Sequence, residues 1–301
     1  MPYEKFIVDT DIGDDIDDAY ALVYLSQEIR ANTLGVTTVL KNALQRAKIT
    51  AHLLKLLDWD IPVAAGESQP LKAKMMFLPF ETPSDNPSIS QYEEEFANEK
   101  ILDQNAVDFI LDQIKTNEKL TLICIGPLTN IALAIKKDPK TFKKINRILI
   151  MGGSFNTNYV EWNVKCDPEA FAIVLNSGVK LEMVGHDLTR DALLTQKDVD
   201  YLKKLNSPPL KFLEKITSNY LRYYNYTRLP CMHDPLAVSL LKYNFVKMKP
   251  MRVCAGMDAD KKGLCIIDEK GVLVNVAYKA NQFFFRKHLM RKLKQINKIH
   301  Q

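Results

Sequence analysis

The sequence lacks the features that would place a protein in or across a membrane. None of its 301 residues belongs to an apolar run of the roughly 18 residues that a transmembrane helix needs. Met1 to Lys5 lead directly into a strand-like Phe6-Ile-Val, without the apolar stretch and small-residue cleavage site of a signal peptide. We therefore expect a soluble, cytoplasmic protein with no membrane partner.

Cysteine is scarce as well. The five cysteines are an odd number, lie far apart and include no Cys-x-x-Cys pair, which argues against both a disulfide framework and a zinc knuckle. Cys124 and Cys265 lie inside apolar runs, where a small buried thiol is the ordinary interpretation. We assign no function to any cysteine.

The sequence also lacks a nucleic-acid motif, although its net charge is +5. Much of the positive charge lies between residues 286 and 294, with no aromatic-interleaved or glycine-rich RNA motif beside it. Leu289, Leu293 and Ile296 recur there at helical spacing, which predicts a surface helix with one apolar stripe and one solvated basic face. We expect no nucleic-acid partner.

What the chain does contain is a regular alternation of short β-rich runs and longer helical patterns. The runs are each about the length of a buried strand, and they cover residues 5–9, 33–39, 61–64, 120–125, 145–151 and 180–184. The segments between them with helical periodicity include residues 17–29, 43–57, 104–115, 128–136 and 168–175. This alternation predicts an open, mainly parallel sheet with helices on both faces.

The rest of the chain fits the same α/β domain. Three β-rich runs at 246–253, 263–267 and 272–278 predict a small antiparallel extension near the C-terminus. Because 47% of the residues are hydrophobic, and no internal repeat or linker is visible, we expect a single catalytic domain over residues 1–301.

Two long segments are candidates for covers over a binding site. Residues 65–104 exceed an ordinary connection in length and are rich in proline, serine and asparagine. Residues 201–229 become helical after Pro208-Pro209 and contain a group of tyrosines at positions 220, 223, 224 and 226. Ligands of parallel α/β folds bind beyond the carboxyl ends of the strands, where polar residues follow several strands of this chain.

One of those strand ends carries six aspartates within ten residues, at positions 9, 11, 14, 15, 17 and 18. So many carboxylates repel one another unless a cation neutralises them, and oxygen ligands favour Ca²⁺ or Mg²⁺. Capping of the helix that begins near Asp17 would use only one or two of them. An EF-hand loop fails, because Asp14 and Tyr20 occupy the places of its glycine and its bidentate glutamate.

A phosphatase or phosphotransferase of the haloacid-dehalogenase type is a further alternative, because its Asp-x-Asp motif also follows a first strand. Asp9-Thr-Asp11 is superficially similar to that motif. Such an Mg²⁺-dependent enzyme would also need a lysine and a second acidic motif, for which Asp187 and Asp191 are the candidates.

Seven short motifs occur in one order over about 230 residues, and together they resemble the inosine-uridine-preferring nucleoside hydrolase family. That family opens with Asp-x-Asp-Pro-Gly-x-Asp-Asp-Ala-x-Ala-Leu and continues with Gly-Ile-Thr-Thr-Val-x-Gly-Asn. The matching stretches are Asp9-Thr-Asp11-Ile-Gly13 with Asp17-Asp18-Ala-Tyr-Ala-Leu22, Gly35-Val-Thr-Thr-Val-Leu-Lys-Asn42, Ile61-Pro-Val-Ala-Ala-Gly66, Gly126-Pro-Leu-Thr-Asn130, Met151-Gly-Gly153, Glu161-Trp-Asn163 with Asp167-Pro-Glu-Ala170, and His233-Asp-Pro-Leu-Ala237.

The resemblance implies a Rossmann-like nucleoside hydrolase fold and Ca²⁺-dependent hydrolysis of ribonucleosides to ribose and free base. It makes Asp11 the general base and gives the metal four ligands, namely Asp11, Asp18, Asp234 and the main-chain carbonyl of Ile125. It makes His233 the group that protonates or polarises the leaving base. The substrate-binding residues that it implies are Asp17, Asn42, Met151, Asn156, Glu161 and Asn163. A homodimer or homotetramer is also expected.

Three departures from the family pattern stand out. Three residues, Asp14-Asp15-Ile16, separate Gly13 from the Asp-Asp-Ala motif where the pattern has one. Residues 75–80 replace a His-Gly segment that many members carry, and the loop before Glu161 is short. These departures keep a third alternative open, a non-catalytic Ca²⁺-dependent binder of ribose or nucleosides.

Overall fold

The structure is a computed structural model that describes residues 3–72 and 89–299. Within those residues nine strands belong to one sheet. They are β1 (Lys5–Thr10), β2 (Thr33–Thr38), β3 (Val63–Ala65), β4 (Leu120–Cys124), β5 (Arg147–Met151), β6 (Leu181–Val184), β7 (Val246–Ala255), β8 (Cys265–Ile267) and β9 (Val272–Ala280).

The helices connect these strands and cover the sheet. The α-helices of the described residues are α1 (Asp17–Glu28), α2 (Ala43–Leu56), α3 (Ala106–Thr116), α4 (Thr129–Lys137), α5 (Pro139–Phe142), α6 (Trp162–Cys166), α7 (Pro168–Leu175), α8 (His186–Thr189), α9 (Gln196–Leu202), α10 (Pro208–Tyr223), α11 (His233–Val238) and α12 (Gln282–Ile299). The six strands and five helices that periodicity predicts between residues 5 and 184 lie within about two residues of their observed ends.

The sheet confirms the predicted fold class. Its strand order is β3-β2-β1-β4-β5-β6-β9-β7-β8, and every pair from β3 to β9 is parallel. The predicted antiparallel extension is present as well, since β7 pairs antiparallel with both β8 and β9. Chain direction along the sheet reverses at β1, which lies between β2 and β4, so the switch point falls beside the end of the strand that precedes Asp11.

Side-chain alternation along the central strands divides the core into two layers. Phe6 and Val8 of β1 face one apolar cluster, whereas Ile7 between them faces the other. The first layer includes residues of α1, α10 and α12, and the second includes residues of α3, α4 and α7. Helices therefore cover both faces, and the carboxyl ends of the strands are left for a site.

The basic C-terminal segment forms the amphipathic helix that its spacing predicts. Leu289, Leu293 and Ile296 of α12 are buried in the first layer, and α12 contacts α1. Within residues 3–72 and 89–299, no helix combines the length and the apolar character that a membrane span requires.

Candidate metal centre and active site

A cavity of about 930 Å³ lies at the carboxyl ends of the parallel strands. Nine of the eleven residues that the sequence singles out for the site line this cavity. They are Asp11, Asp17, Asp18, Ile125, Met151, Glu161, Asn163, His233 and Asp234. The structure thus brings together residues that are more than 200 positions apart in the chain.

Three buried carboxylates form the acidic end of the cavity. Asp17, Asp18 and Asp234 can each present one oxygen such that all three oxygens lie within 4.8 Å of one another. The first two open α1, and the third belongs to the short helix α11. The main-chain N–H of Asp234 donates to Asp17 Oδ2 at 3.2 Å, which ties α11 to the start of α1.

Electrostatic repulsion within this group is strong. Burial and the neighbouring carboxylates raise the pKa of Asp17, Asp18 and Asp234 well above the ordinary value. Thr10 Oγ1 donates a hydrogen bond to Asp18 and offsets only part of that effect. An all-oxygen, crowded and buried set of carboxylates is the environment in which a hard divalent cation would relieve the repulsion.

Asp11 lies beside this group and on the same cavity wall, although it is not one of the three clustered carboxylates. Burial raises the pKa of Asp11 to about 6, and Asp11 in turn raises the pKa of Asp18 and Asp234. The chain after β4 passes close to it, since a Cβ on Gly126 would lie 2.8 Å from the Asp11 nitrogen. Only glycine at position 126 permits this approach without displacement.

The carbonyl of Ile125 faces the same region from the end of β4. The main-chain N–H of Ile125 donates to the Asp9 carbonyl at 2.9 Å, which continues the hydrogen-bond ladder between β1 and β4. Asn163 Nδ2 donates to the carbonyl oxygens of Ile125, at 3.0 Å, and of Met151, at 3.1 Å. Asn163 therefore joins the ends of β4 and β5 and fixes both carbonyls beside the carboxylates.

Glu161 is held by the start of the helix that it caps. Its carboxylate accepts hydrogen bonds from the main-chain N–H groups of Gly153, Asn163 and Val164, at 3.0, 2.9 and 3.1 Å. Burial nevertheless raises its pKa to about 7. A carboxyl with so many fixed donors has one orientation, which suits it to bind a polar group of a ligand in the cavity.

His233 occupies another wall of the cavity. Its Nδ1 lies 2.7 Å from Thr189 Oγ1, so Nε2 is the nitrogen left for a ligand. Burial lowers the pKa of His233 to about 3, and the nearby His186 and Arg228 contribute to that shift. The imidazole is therefore neutral near pH 7, and a hydroxyl that donates to Nδ1 would leave Nε2 as an N–H donor.

His186, which the sequence did not single out as a site residue, also belongs to this wall. Its ring stacks on His233 with a centroid distance of 5.4 Å, and the Tyr159 ring packs against it with a centroid distance of 4.4 Å. The one signal in the sequence is its position directly after the strand-like run 180–184, at the end where ligands bind.

Two of the predicted substrate-binding residues are placed elsewhere. Asn42 caps α2, because its side chain accepts from the Gln45 N–H at 3.1 Å. Asn156 is exposed and donates to Asp187 Oδ2 at 2.7 Å. Neither contributes to the cavity wall, and Asp187, which the phosphatase alternative needs at the metal, does not contribute either.

The inserted aspartates fall outside the carboxylate group. Asp14 pairs with two cations, Arg46 Nη2 at 2.8 Å and Lys41 Nζ at 3.0 Å. Burial alone would raise the pKa of Asp14, but these two cations outweigh it and lower the pKa. Asp15 accepts from the N–H of Ile16 at 2.7 Å and lines the cavity near Arg228. The alignment on Asp17-Asp18 therefore agrees with the geometry.

Asp9 lies near the carboxyl end of β1 and bonds to neighbouring elements. It accepts hydrogen bonds from Thr37 Oγ1 at 2.5 Å and from Asn130 Nδ2 at 2.8 Å, and it is fully buried. These contacts join β1 to β2 and to α4. Both bonds are to Oδ1, whereas the buried Oδ2 has no hydrogen-bond partner among the described residues, and burial raises the pKa of Asp9 to about 7.

Both long segments reach the cavity in part. Ser90 and Gln91 line it, and Gln91 Nε2 donates to the Asp15 carbonyl at 2.7 Å. Residues 73–88 of the first segment, which include the stretch 75–80 that replaces the His-Gly segment, lie outside the described residues. From α10 and the turn after it, Tyr220, Tyr223 and Tyr224 line the cavity, and the Arg228 guanidinium lies over the Tyr224 ring at 5.2 Å.

Comparisons with known proteins agree with this geometry. Residues 6–287 match the family model described as inosine-uridine preferring nucleoside hydrolase. A relative of that description from Crithidia fasciculata is 32% identical over 79% of this chain and 78% of its own length. A probable uridine nucleosidase 2 from Oryza sativa subsp. japonica is 31% identical over 87% of this chain and 83% of its own length.

Solved structures resemble the fold over its whole length. A purine-preferring ribonucleoside hydrolase from Gardnerella vaginalis superposes with a TM-score of 0.83 at 28% identity, and the match covers 98% of this chain and 100% of the other. The predicted fold is confirmed by these neighbours, and the match across the chain favours the nucleoside hydrolase interpretation over the dehalogenase-type alternative.

Proposed function

Because the chain belongs to the inosine-uridine preferring nucleoside hydrolase family and is a glycosyl hydrolase, we propose that it hydrolyses ribonucleosides to ribose and free base with Ca²⁺ as cofactor. The observation that carries the proposal is the buried group of Asp17, Asp18 and Asp234 beside Asp11. Repulsion among these buried carboxylates destabilises the folded protein, and a bound cation would relieve it.

Asp11, Asp18, Asp234 and the Ile125 carbonyl would hold the ion. All four supply oxygen, which suits the six to eight oxygen ligands of Ca²⁺. When bound, the ion would offset the carboxylate charge and help to orient and activate the attacking water. Asn163 fixes the Ile125 carbonyl, so the residue that holds one ligand also lines the substrate cavity.

Asp11 is the group that would take the proton from water. Water attacks the ribose C1′, its proton passes to the Asp11 carboxylate, and the C1′–N bond breaks with its electron pair going to the base. The remaining carboxylates favour the positive charge that develops on the ribose. Asp17, Glu161 and Asn163 line the same cavity as Asp11 and would bind the ribose hydroxyls, and Met151 lines it as well.

His233 would assist the departure of the base. Because its imidazole is neutral near pH 7, it acts in this proposal as a hydrogen-bond donor from Nε2 rather than as a cationic acid. The hydrogen bond stabilises negative charge that develops on the leaving base. His186 and Tyr159 stack beyond it, and Tyr224 with Arg228 forms a second aromatic wall that suits a flat base.

The test is a panel of purine and pyrimidine ribonucleosides, with their 2′-deoxy forms, incubated with the Ca²⁺-loaded protein and assayed for reducing sugar. We expect ribose release from at least one ribonucleoside, slower release from its deoxy form, and loss of release in Asp11→Ala. Nucleoside binding without ribose over a long incubation would make the protein a binder instead. Phosphate release from a phosphomonoester with Mg²⁺ would favour the dehalogenase-type alternative.

Relatives of opposite base preference resemble this chain, so the panel has to include both classes. Three further expectations belong to the same proposal, namely a cytoplasmic location, a homodimer or homotetramer, and a single domain over residues 1–301. The continuous sheet from β3 to β8 supports the last of these.

A further inference from the structure

Arg46 is a fully buried arginine behind the acidic cluster. Its Nε donates to the Leu40 carbonyl at 2.9 Å, and its Nη1 donates to the carbonyls of Ile12, at 2.8 Å, and of Asp11. One guanidinium therefore binds the loop after β1 to the turn after β2. Arg46 does not contribute to the cavity wall, so it meets the site through the main chain of Asp11 and Ile12 and through the side chain of Asp14.

The loop after β1 and the turn after β2 each lack a residue that controls the backbone conformation in the family pattern. Ile12 stands in place of the proline, and it keeps an N–H that donates to Thr10 Oγ1 at 3.2 Å. Lys41 stands in place of the glycine, yet Leu40 and Lys41 have φ values of +76° and +52°. Such values are unfavourable for residues with a side chain, so other contacts must hold the turn. Arg46 donates hydrogen bonds to both segments, to Asp11 and Ile12 in the first and to Leu40 in the second.

The insertion supplies the counter-charge. A buried guanidinium is strongly unfavourable unless a carboxylate pairs with it. Asp14, the first of the three residues that stand where the family pattern has one, accepts from Arg46 Nη2 at 2.8 Å. The same oxygen lies 3.0 Å from Lys41 Nζ. The lengthened loop thus contributes the carboxylate that forms the salt bridge with Arg46.

We propose that Arg46, with its charge balanced by Asp14, is a positioning residue that fixes the main chain of Asp11 and thereby the metal site. This inference rests on the proposed function, because Asp11 has a defined task only there. A ligand carboxylate must be held to within about half an ångström of its working position, and a rigid fork with several acceptors does this better than a single contact.

Calcium affinity tests the proposal against a matched control. Arg147 also bridges carboxylates, Glu4 and Glu182, but it lies at the amino end of β5, away from the site. Arg46→Lys and Arg147→Lys both keep the charge and lose the planar fork. In titration calorimetry of metal-stripped full-length protein with Ca²⁺, we expect Arg46→Lys to weaken binding by about 10- to 100-fold and Arg147→Lys by less than about twofold. Equal affinities for folded Arg46→Lys and wild type, or equal losses in both variants, would overturn the proposal.

Amide hydrogen exchange supplies a readout that needs no metal. Residues 10–16 of stripped Arg46→Lys should exchange faster than in wild type, and the same residues of Arg147→Lys should not. Unchanged exchange in Arg46→Lys refutes the positioning role. A wild type that neither binds Ca²⁺ nor releases ribose refutes the proposed function, and this exchange experiment still decides about Arg46.

Asp14→Asn is the second variant, for use where Arg46→Lys does not fold. Its side chain is one-third exposed and Asn keeps one acceptor for Arg46, so the fold tolerates it better. We expect a loss of Ca²⁺ affinity in the same direction but smaller, about three- to tenfold. A loss of about 1000-fold or more would make Asp14 a ligand of the ion and overturn the assignment of Arg46 and Asp14 as a charge-balanced pair.

Discussion

The two ends of the parallel sheet treat carboxylates in opposite ways. At the amino end, Arg147 bridges Glu4 and Glu182 at 3.0 and 2.5 Å, and Lys180 adds a second cation. At the carboxyl end, Asp17, Asp18 and Asp234 face one another, and none of the three forms a salt bridge with a cation of the described residues. The first arrangement stabilises the fold, and the second stores repulsion that a ligand can use. Similar residues therefore serve stability at one end and function at the other.

The largest effect is expected when one carboxylate is removed from the carboxyl end of the sheet. Asp18→Asn should lower kcat/KM by about 1000-fold or more, since it removes a ligand that organises the attacking water. The metal-free protein should melt at the same or a higher temperature, because one of the mutually repelling charges is gone. Steady-state kinetics and thermal unfolding measure the two effects. A lower melting temperature in the metal-free state would contradict the account of stored repulsion.

Removal of the ion tests whether repulsion at the carboxyl end is relieved by Ca²⁺. Chelation followed by gel filtration should abolish ribose release, and Ca²⁺ at about 100 times its Kd should then restore roughly 2.7 kcal/mol of stability. The measurement is the melting temperature against Ca²⁺ concentration. Asp18→Asn is the control and should show a much smaller shift. A wild-type melting temperature that does not respond to Ca²⁺ would count against a calcium site.

The amino end should respond in the opposite sense. Arg147→Gln leaves Glu4 and Glu182 without their shared partner and should destabilise the fold by about 1–3 kcal/mol, since the group is only partly buried. Its kcat and Ca²⁺ affinity should remain near those of the wild type. Urea unfolding and initial rates check the two statements. A change in kcat at equal stability would mean that the two ends are coupled.

The smallest expected effect is on pH dependence. The hydrogen bonds of Arg147, Thr121 and Asn146 outweigh burial and lower the pKa of Glu4, so its contribution is present above its ordinary pKa near 4.5 and is lost as pH falls below it. Glu161 has the opposite sign, because burial raises its pKa to about 7. Metal-free protein should therefore gain stability as pH falls from about 8 towards 5 and lose it below about 4.5.

Glu161→Gln separates the two contributions to that profile. It removes the group whose folded-state pKa is raised, so the gain between about pH 8 and 5 should shrink while the loss below about 4.5 stays. Unfolding midpoints in urea at several pH values give the measurement. If the gain persists at full size in Glu161→Gln, the other raised carboxyls of the cavity account for it.

Local patterns were sufficient to predict the sheet and the motifs that carry the three clustered carboxylates. Ile7 and Val8 belong to a buried run of strand length, and Asp17-Asp18 and Asp234 belong to motifs whose spacing is local. The short helices were not predicted, because α6 and α8 span only five and four residues and show no periodicity of their own. They form where a cap or a strand end holds them.

Contacts between distant segments were beyond the reach of the sequence. His186 stacks on His233 across 47 positions only because α8 and α11 pack together. Arg46 looks like an ordinary helical arginine until its hydrogen bonds to Leu40, Ile12 and Asp11 are seen. The capping role of Asn42 shows the converse, since a residue in a matched motif has a local partner that the motif does not reveal.

The hydrogen bond from the Asp234 N–H to Asp17 also has a consequence for biosynthesis. These residues are 217 positions apart, so a ribosome that adds about 5–20 residues per second separates their synthesis by roughly 11–43 s. During that interval the nascent chain exposes Asp17 and Asp18 without the third carboxylate. An ion bound as proposed would therefore have to be captured late, after α11 has docked and translation has passed beyond residue 234.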